Sequence, residues 1–258
     1  MSLVKTEGIV LKSLKYGDSS LIFSLYTRDF GKVKVLAKGI KRPKSRILPP
    51  GTFSLIEIVF YKKERTELHL LSSAETLKSF PGLSKSLNHF SWASAVSELL
   101  DQLIKGEESN QRIFNLSLKT LSRMETSDET NLEKLFWSFA LKLSTHLGYK
   151  PKLDACVNCG KEIKEEEIFF SPERGGVICK KCAKEDEYFL KLSKKSYLAA
   201  RKLLSLDINK VDKFPVDKES LDEVSGMVKS FISYHTGAKE LKALDFLRKI
   251  LMTVFQFT

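Results

Sequence analysis

All four cysteines of this 258-residue chain fall into two identical pairs, Cys156-x-x-Cys159 and Cys179-x-x-Cys182, with nineteen residues between the pairs. Two residues between cysteines let both sulfurs of a pair face one ion, and a hairpin of this length brings two such pairs together as a tetrahedral thiolate site. Gly160 follows Cys159 directly, and a positive φ there turns the chain while backbone amides point at the sulfurs. The spacing predicts one structural zinc held by Cys156, Cys159, Cys179 and Cys182. An unmetallated loop, two redox pairs and an iron-sulfur cluster are the competing readings. A thioredoxin-like redox pair sits at a strand-to-helix junction, and neither pair here reads as one. A closed four-sulfur shell keeps no position open for water or substrate, which argues against a zinc hydrolase. The deaminase signature is also missing: no histidine has Glu two residues on, and Ala155 precedes Cys156. Between the pairs, Ile168-Phe169-Phe170 and Val177-Ile178 flank a Ser-Pro-Glu-Arg-Gly-Gly run and read as a hairpin.

The texture differs on either side of this segment. Residues 7–14, 20–26, 32–38, 53–61 and 66–72 read as short strands rich in Val, Ile, Leu, Phe and Tyr. Turn signals separate them at Tyr16-Gly17-Asp18, Phe30-Gly31 and Pro49-Pro50-Gly51. Five short strands without a convincing helix predict a small closed sheet of the OB type, although an SH3-like barrel looks much the same at this level. From Leu83 onward the apolar period becomes helical. Trp92, Val96, Leu99 and Leu103 form one stripe; Leu132, Leu135, Phe136, Phe139, Leu143 and Leu147 form a second. The second opens with the capping-box spacing Thr130-x-x-Glu133 and closes at Gly148, with Pro151 soon after. Leu221, Val224, Val228 and Phe231 make a third stripe, and Leu241, Leu244, Leu247 and Leu251 a fourth. The expected fold is multidomain α+β: a five-stranded OB-type β-barrel over residues 1–80, then an α-helical domain over 81–150 and 191–258, interrupted by a four-cysteine zinc finger at 151–190.

Charge separates these regions as well. The whole chain carries a formal +11, and residues 1–80, with 15 basic against 7 acidic side chains, hold +8 of it. Residues 32–46 contain Lys32, Lys34, Lys38, Lys41, Arg42, Lys44 and Arg46 and no acidic residue. In a strand Lys32, Lys34 and Lys38 share one face, while Val33, Val35 and Ala37 share the other. Beyond Gly39 the chain becomes a basic loop. A basic strand feeding a basic loop on a small barrel suits a phosphate backbone, and we expect these seven side chains to bind nucleic acid without reading sequence. Tyr26, Phe53 and Tyr61 could offer stacking surfaces, but filling the barrel is the better use for them. In the helical part, Lys191, Lys194 and Lys195, then Arg201 and Lys202, then Arg248 and Lys249, border apolar stripes. Such a rim suits an acidic peptide tail, or is ordinary snorkelling surface.

No apolar run reaches the length of a membrane span or a secretory signal, so a cytoplasmic location without membrane contact is expected. The chain lacks a P-loop, a Gly-x-Ser-x-Gly elbow, His-Glu-x-x-His and any convincing acidic pair for a metal nuclease. These absences favour a binding protein over an enzyme. The other classes still open are an RNA-binding assembly or translation factor and, with less support, a metal-dependent nucleic-acid enzyme.

Four stretches, in order, carry a family likeness: Tyr16-Gly-Asp-Ser-Ser-Leu-Ile with Tyr26-Thr-Arg-Asp-Phe-Gly31; Ala37-Lys-Gly-Ile-Lys-Arg-Pro-Lys-Ser-Arg46; Leu147-Gly-Tyr-Lys-Pro-Lys-Leu-Asp-Ala-Cys156; and Phe170-Ser-Pro-Glu-Arg-Gly-Gly-Val-Ile-Cys179. In these the chain resembles the bacterial recombination mediator RecO family. The resemblance implies a nucleoid-associated DNA repair protein that binds single- and double-stranded DNA, here through the seven basic side chains from Lys32 to Arg46, and anneals complementary strands without ATP. It further implies partnership with RecR and with the acidic C-terminal tail of the single-stranded-DNA-binding protein in loading RecA. The family's closing His-x-Gly and Leu-Lys-Ser pattern is met by His235-Thr-Gly237, then by Ala-Lys-Glu-Leu-Lys-Ala243, which departs from it.

Overall fold

The computed structural model describes residues 2–64, 66–184 and 187–255, with positions 248 and 250–255 through their backbone alone. Strands β1 (Ser2–Tyr16), β2 (Ser20–Thr27), β3 (Gly31–Ala37), β4 (Leu55–Lys62) and β5 (Leu68–Lys78) come first. Helices α1 (Leu87–Leu103), α2 (Gln111–Thr126) and α3 (Glu129–His146) follow, then strands β6 (Glu167–Ser171), β7 (Gly176–Ile178) and β8 (Leu190–Ser193). Helices α4 (Lys194–Ser205), α5 (Lys218–Thr236) and α6 (Lys242–Phe255) close the chain. Contacts divide it into two units, one running to Thr126 and resuming at Leu241, the other Ser127–Glu240.

In the first unit the strands close a barrel in the order β1-β2-β3-β5-β4, the OB arrangement. Every pairing is antiparallel except β3 with β5. The long β1 serves both neighbours, pairing with β4 through residues 2–9 and with β2 through 8–16, and a bulge between Val10 and Lys12 bends it round the barrel. Alternation drives Phe23, Leu25, Val33, Val35, Ile56, Ile58 and Phe60 into the interior, which is why β-branched and aromatic residues dominate these strands.

Helices α1, α2 and α6 belong to this unit. Tyr26, on the outward side of β2, is fully buried against α2: its ring lies 6.3 Å from Phe114, and its hydroxyl donates to the Asn110 carbonyl at 3.2 Å. Phe53 meets Phe90 of α1 edge-on at 5.6 Å. The Ser86 hydroxyl caps α1 by accepting from the His89 amide. α6 is capped from another helix, since the Glu98 carboxylate of α1 accepts from the amides of Lys242 and Ala243 at 3.0 and 3.1 Å. Helices α1 and α6, which carry the first and fourth stripes, are therefore neighbours. The side chains of Arg248 and Leu251, named from the sequence, lie outside the described ones.

The second unit is built round α3, which buries Leu132, Leu135, Phe136, Trp137, Phe139 and Leu143 and so has more than one apolar side. The capping box expected at Thr130 and Glu133 does not form. The helix begins earlier, with Asp128 at the cap and Thr130 already in the first turn, while Glu133 accepts instead from Trp137 Nε1 at 3.3 Å and Lys218 Nζ at 2.8 Å. The other end closes as expected, with Gly148 at φ +94° and the Tyr149 amide returning to the Ser144 carbonyl at 2.8 Å. Residues 206–217 connect α4 to α5. They hold a 3-10 turn, Ile208–Lys213, near whose end the Asp212 and Phe214 carbonyls accept from Lys134 Nζ at 2.9 and 2.7 Å. Lys142 does the same for the end of α4, donating to the Leu204 carbonyl at 2.5 Å; burial pulls its ammonium down to about 8.

The hairpin between the cysteine pairs is β6–β7, with Phe169 opposite Ile178, and β8 adds a third strand on the other side of β6. Phe170 packs edge-on against Phe231 of α5, and the His235 ring lies tilted against Phe231, 4.7 Å between centroids, and beside Gly175 in the hairpin turn. Gly237 then ends α5 at φ +66°. The His-x-Gly triplet thus holds the hairpin and stops the helix.

Gly31 gives the barrel its sharpest conformational requirement. Its φ is +61°, and a Cβ there would lie 2.5 Å from the Glu108 carbonyl oxygen, because residues 106–108 cross directly over the β2–β3 turn. Gly31→Ala should therefore cost on the order of 3 kcal/mol, from left-handed strain and the displaced crossing together. A thermal melt of the variant checks this; an unchanged midpoint would show that the crossing is not held there.

Candidate metal centre and nucleic-acid interface

The four cysteine sulfurs converge within 4.8 Å of one another, with Cys159 and Cys179 Sγ 3.8 Å apart. Each pair is a tight backbone turn. The Gly160 amide donates to the Cys156 carbonyl at 2.9 Å, and the amides of Cys182 and Ala183 donate to the Cys179 carbonyl at 2.9 and 3.1 Å. Gly160 has the anticipated positive φ, +72°, with open space where a Cβ would go, so conformation and not crowding selects glycine. Burial raises the Cys156 thiol, but amides of Cys179, Cys159 and Asn158 outweigh it and bring the group to about 6. Cys179 is pushed up to about 12 by burial and by the neighbouring sulfurs of Cys182, Cys156 and Cys159. Four sulfurs this close cannot all ionise unless a cation sits among them, and the all-sulfur donor set fits a soft or borderline divalent ion. The four-cysteine cluster is compatible with a bound metal in a closed, structural site.

The basic stretch is divided by its surroundings. In the β2–β3 register Lys32, Lys34 and Leu36 point outward, opposite Tyr26, Ser24 and Ile22 of β2. Lys32, however, is engaged within the unit. Its Nζ donates to the Asp101 carbonyl at 2.5 Å and lies 3.4 Å from Asp101 Oδ1, at the end of α1. Lys34 faces Glu67 at 3.3 Å on the surface. Lys38, Lys41, Arg42, Lys44 and Arg46 are all exposed, and among the described residues none has a carboxylate at ion-pair distance. The loop that carries them is tied at its start: the Gly39 amide donates to Ser20 Oγ at 3.1 Å, the Lys41 amide to the Ser19 carbonyl at 3.0 Å, and Ile40 plugs the barrel end.

Of the aromatic residues considered for stacking, Tyr26 and Phe53 are core, and Tyr61 is partly exposed. Tyr16, absent from that set, is half exposed and stands beside the basic loop. Its signal lies in the Tyr-Gly-Asp turn itself, which ends β1 with an aromatic outside the barrel. In the second unit, exposed ion pairs join Lys191 to Glu167, Lys194 to Glu166 and Arg201 to Asp154. Exposed pairs of this kind contribute little to stability. Lys195, Leu198 and Lys202 remain exposed on α4.

Comparison with known proteins agrees with this geometry. The model of the recombination protein O N-terminal domain matches residues 1–80, and that of its C-terminal domain matches 84–245. The chain is 30% identical over 249 residues to the DNA repair protein RecO of Alkaliphilus metalliredigens, covering 96% of this chain and 100% of that one. It is 31% identical over 252 residues to the RecO of Caldanaerobacter subterraneus subsp. tengcongensis, covering 97% and 99%. With the RecO of Rubrobacter xylanophilus it shares 37% identity over 185 residues, 70% of this chain and 72% of that one.

Asp101 is the ionisable group on which the barrel and α1 meet. Burial raises its carboxyl, but Lys12 at 2.5 Å and Lys32 outweigh that and hold it below its ordinary range. A depressed carboxylate adds stability above its unfolded pKa, and this is lost as pH falls through the folded value. Asp101→Asn should lower the melting midpoint at neutral pH and reduce its fall on acidification below about pH 4. Melting curves across that range test it; parallel curves for variant and parent would refute the assignment.

Proposed function

The chain belongs to the RecO family of DNA repair and recombination proteins, and on that premise we propose that it is a non-enzymatic mediator that binds DNA and anneals complementary strands without ATP. One observation carries the DNA reading: five cations, Lys38 to Arg46, project from a loop anchored to the barrel with no carboxylate at ion-pair distance among the described residues, beside the outward lysines of β3. A phosphate backbone laid along them releases counterions and needs no base contact. Lys34 extends this track at the cost of exchanging its surface pair with Glu67, while Lys32 supports the track indirectly by fixing β3 to α1. RecR and the single-stranded-DNA-binding protein are the proposed partners, and loading of RecA the proposed outcome; what supports them is family membership. For the acidic tail of the single-stranded-DNA-binding protein, the exposed Lys195, Leu198 and Lys202 of α4 supply a matching charge and apolar contact.

Changing Lys41, Arg42, Lys44 and Arg46 together to Ala should flatten the dependence of log affinity on log salt by roughly 0.7 per lost contact on single strands and 0.9 on duplex. An unchanged slope would move the DNA site off this loop. An annealing assay with complementary DNA strands and an RNA competitor distinguishes the classes: ATP-free annealing that resists the competitor supports the mediator, and preference for RNA supports an RNA-binding factor.

We assign zinc to the cysteine site. Cys156, Cys159, Cys179 and Cys182 would hold it, and the ion would supply charge compensation to four clustered thiolates. Metal analysis should return one zinc per chain, and Cys179→Ser should lower thermal stability before it lowers DNA affinity. Protein expressed with ample zinc but containing none would overturn the assignment.

A further inference from the structure

Beside the basic loop the barrel has a pocket of about 340 Å³, lined by Tyr16, Ser20, Leu36, Lys38, Gly39 and Arg42. Its two walls are the β1–β2 turn and the start of the basic loop. The same backbone bonds that anchor the loop, from the Gly39 and Lys41 amides to Ser20 Oγ and the Ser19 carbonyl, hold these walls together, so the pocket is formed before any ligand arrives. Its chemistry is divided. Tyr16 offers an aromatic ring that is 53% exposed, and Leu36, outward on β3, offers an aliphatic floor in line with Ile22 and the exposed Leu14. Lys38 and Arg42 also line it, with no carboxylate at ion-pair distance among the described residues. Gly39 belongs to the design as well: its φ is +65°, and a Cβ would lie 3.3 Å from Arg42 Cδ, so the absent side chain lets the arginine fold over this wall.

We infer that this pocket takes one unpaired nucleotide of a DNA single strand, its base stacked on Tyr16 over Leu36 and its phosphates on Lys38 and Arg42. The inference rests on the DNA reading of the basic loop and adds a selection rule to it. Phosphates are equally available on single strands and duplexes, but a base in a duplex has both faces covered by its neighbours, and only an unpaired one can present a face to an aromatic ring. The cations therefore give affinity for either form, and Tyr16 gives preference for the single strand. Stacking tolerates all four bases, in keeping with a site that reads no sequence.

The test compares full-length protein with Tyr16→Leu and Tyr16→Phe, measuring affinity for an oligothymidylate strand and for a blunt-ended duplex without a loop across a series of salt concentrations. Tyr16→Leu should weaken single-strand binding by about tenfold, leave duplex binding within about twofold, and leave the salt slope unchanged. Tyr16→Phe should bind as the parent does. A strand carrying 5-iodouracil should photocrosslink at Tyr16. Equal loss on both DNA forms, no loss on either, or failure of Phe to substitute would overturn the pocket, and a crosslink found only elsewhere would do the same. These results are separable from the DNA reading itself: a flattened salt slope in the four-residue loop variant, together with an unchanged strand-to-duplex ratio in Tyr16→Leu, leaves the phosphate track standing and removes this site. Binding of an acidic peptide that is lost in Tyr16→Leu while DNA binding is kept would give the pocket to a protein ligand and refute the proposal.

Discussion

Closing five strands in the order β1-β2-β3-β5-β4 imposes a long traverse on the chain. β3 ends beside β2 and β5, but the next strand, β4, lies between β5 and β1, so residues 38–54 must leave one side of the barrel and cross its end before pairing can resume. A crossing of this kind cannot satisfy its backbone in a ladder and must be held by other means. Ile40 enters the core, Gly39 and Lys41 bond to the β1–β2 turn, and Phe53 is buried at φ +71°, exchanging backbone bonds with Val10 through itself and Ser54. Strain at Phe53 is the cost of restarting β4 in register, offset by burial of its ring against Phe90. The basic loop is thus a consequence of barrel topology, which also keeps its cations clear of the sheet's own carboxylates.

The outer face of β2 and β3 is then shared between support and binding. At one end, Tyr26 and Lys32 sit opposite each other and are used up by α2 and by Asp101 at the end of α1. Two residues further along, Lys34 is exposed, and beyond it Leu36 and Lys38 open onto the pocket. A single alternating strand face changes role along its length because the helices cover only part of it. Fixing one end rigidly gives the other a defined position, and an ordered row of cations loses less entropy when it meets a phosphate chain than a mobile one would.

This division explains what is legible in the sequence. Local signals with one physical cause read correctly: the five strands, the cysteine hairpin, and glycines at Gly31, Gly148 and Gly160 whose positive φ a turn requires. The capping box at Thr130 and Glu133 misleads because spacing cannot tell a cap from a first-turn residue when Asp128 competes, and because Trp137 and Lys218 claim Glu133. Lys32, Lys34 and Lys38 share a face by period two, but only the packed helices distinguish the one that is engaged. Helices α2 and α4 do bury one face at helical spacing, but Ser117 and Thr120 in α2 and Ser196 in α4 take positions on it, the first two bonding to carbonyls one turn back, so an apolar period alone passes over them. Tyr16 is hidden for another reason, since an aromatic at a strand end carries no periodic signature.

The cysteine module solves a different problem of the same kind. A three-stranded sheet with strands of five, three and four residues is too small to hold itself. One face rests on α5 through Phe170, Phe231 and His235, and that accounts for β6 and the hairpin turn. The far end is more open to solvent, with Asn158, Cys159, Gly160, Lys161, Lys180 and Lys181 all exposed. Short backbone bonds and the four converging sulfurs fix the turns there. Where the barrel uses an isoleucine plug to order an exposed crossing, this module has Val157 against Gly176 and the buried Ile163 beside its first turn, and convergence of the thiolates ties that turn to the second, solvent-facing one.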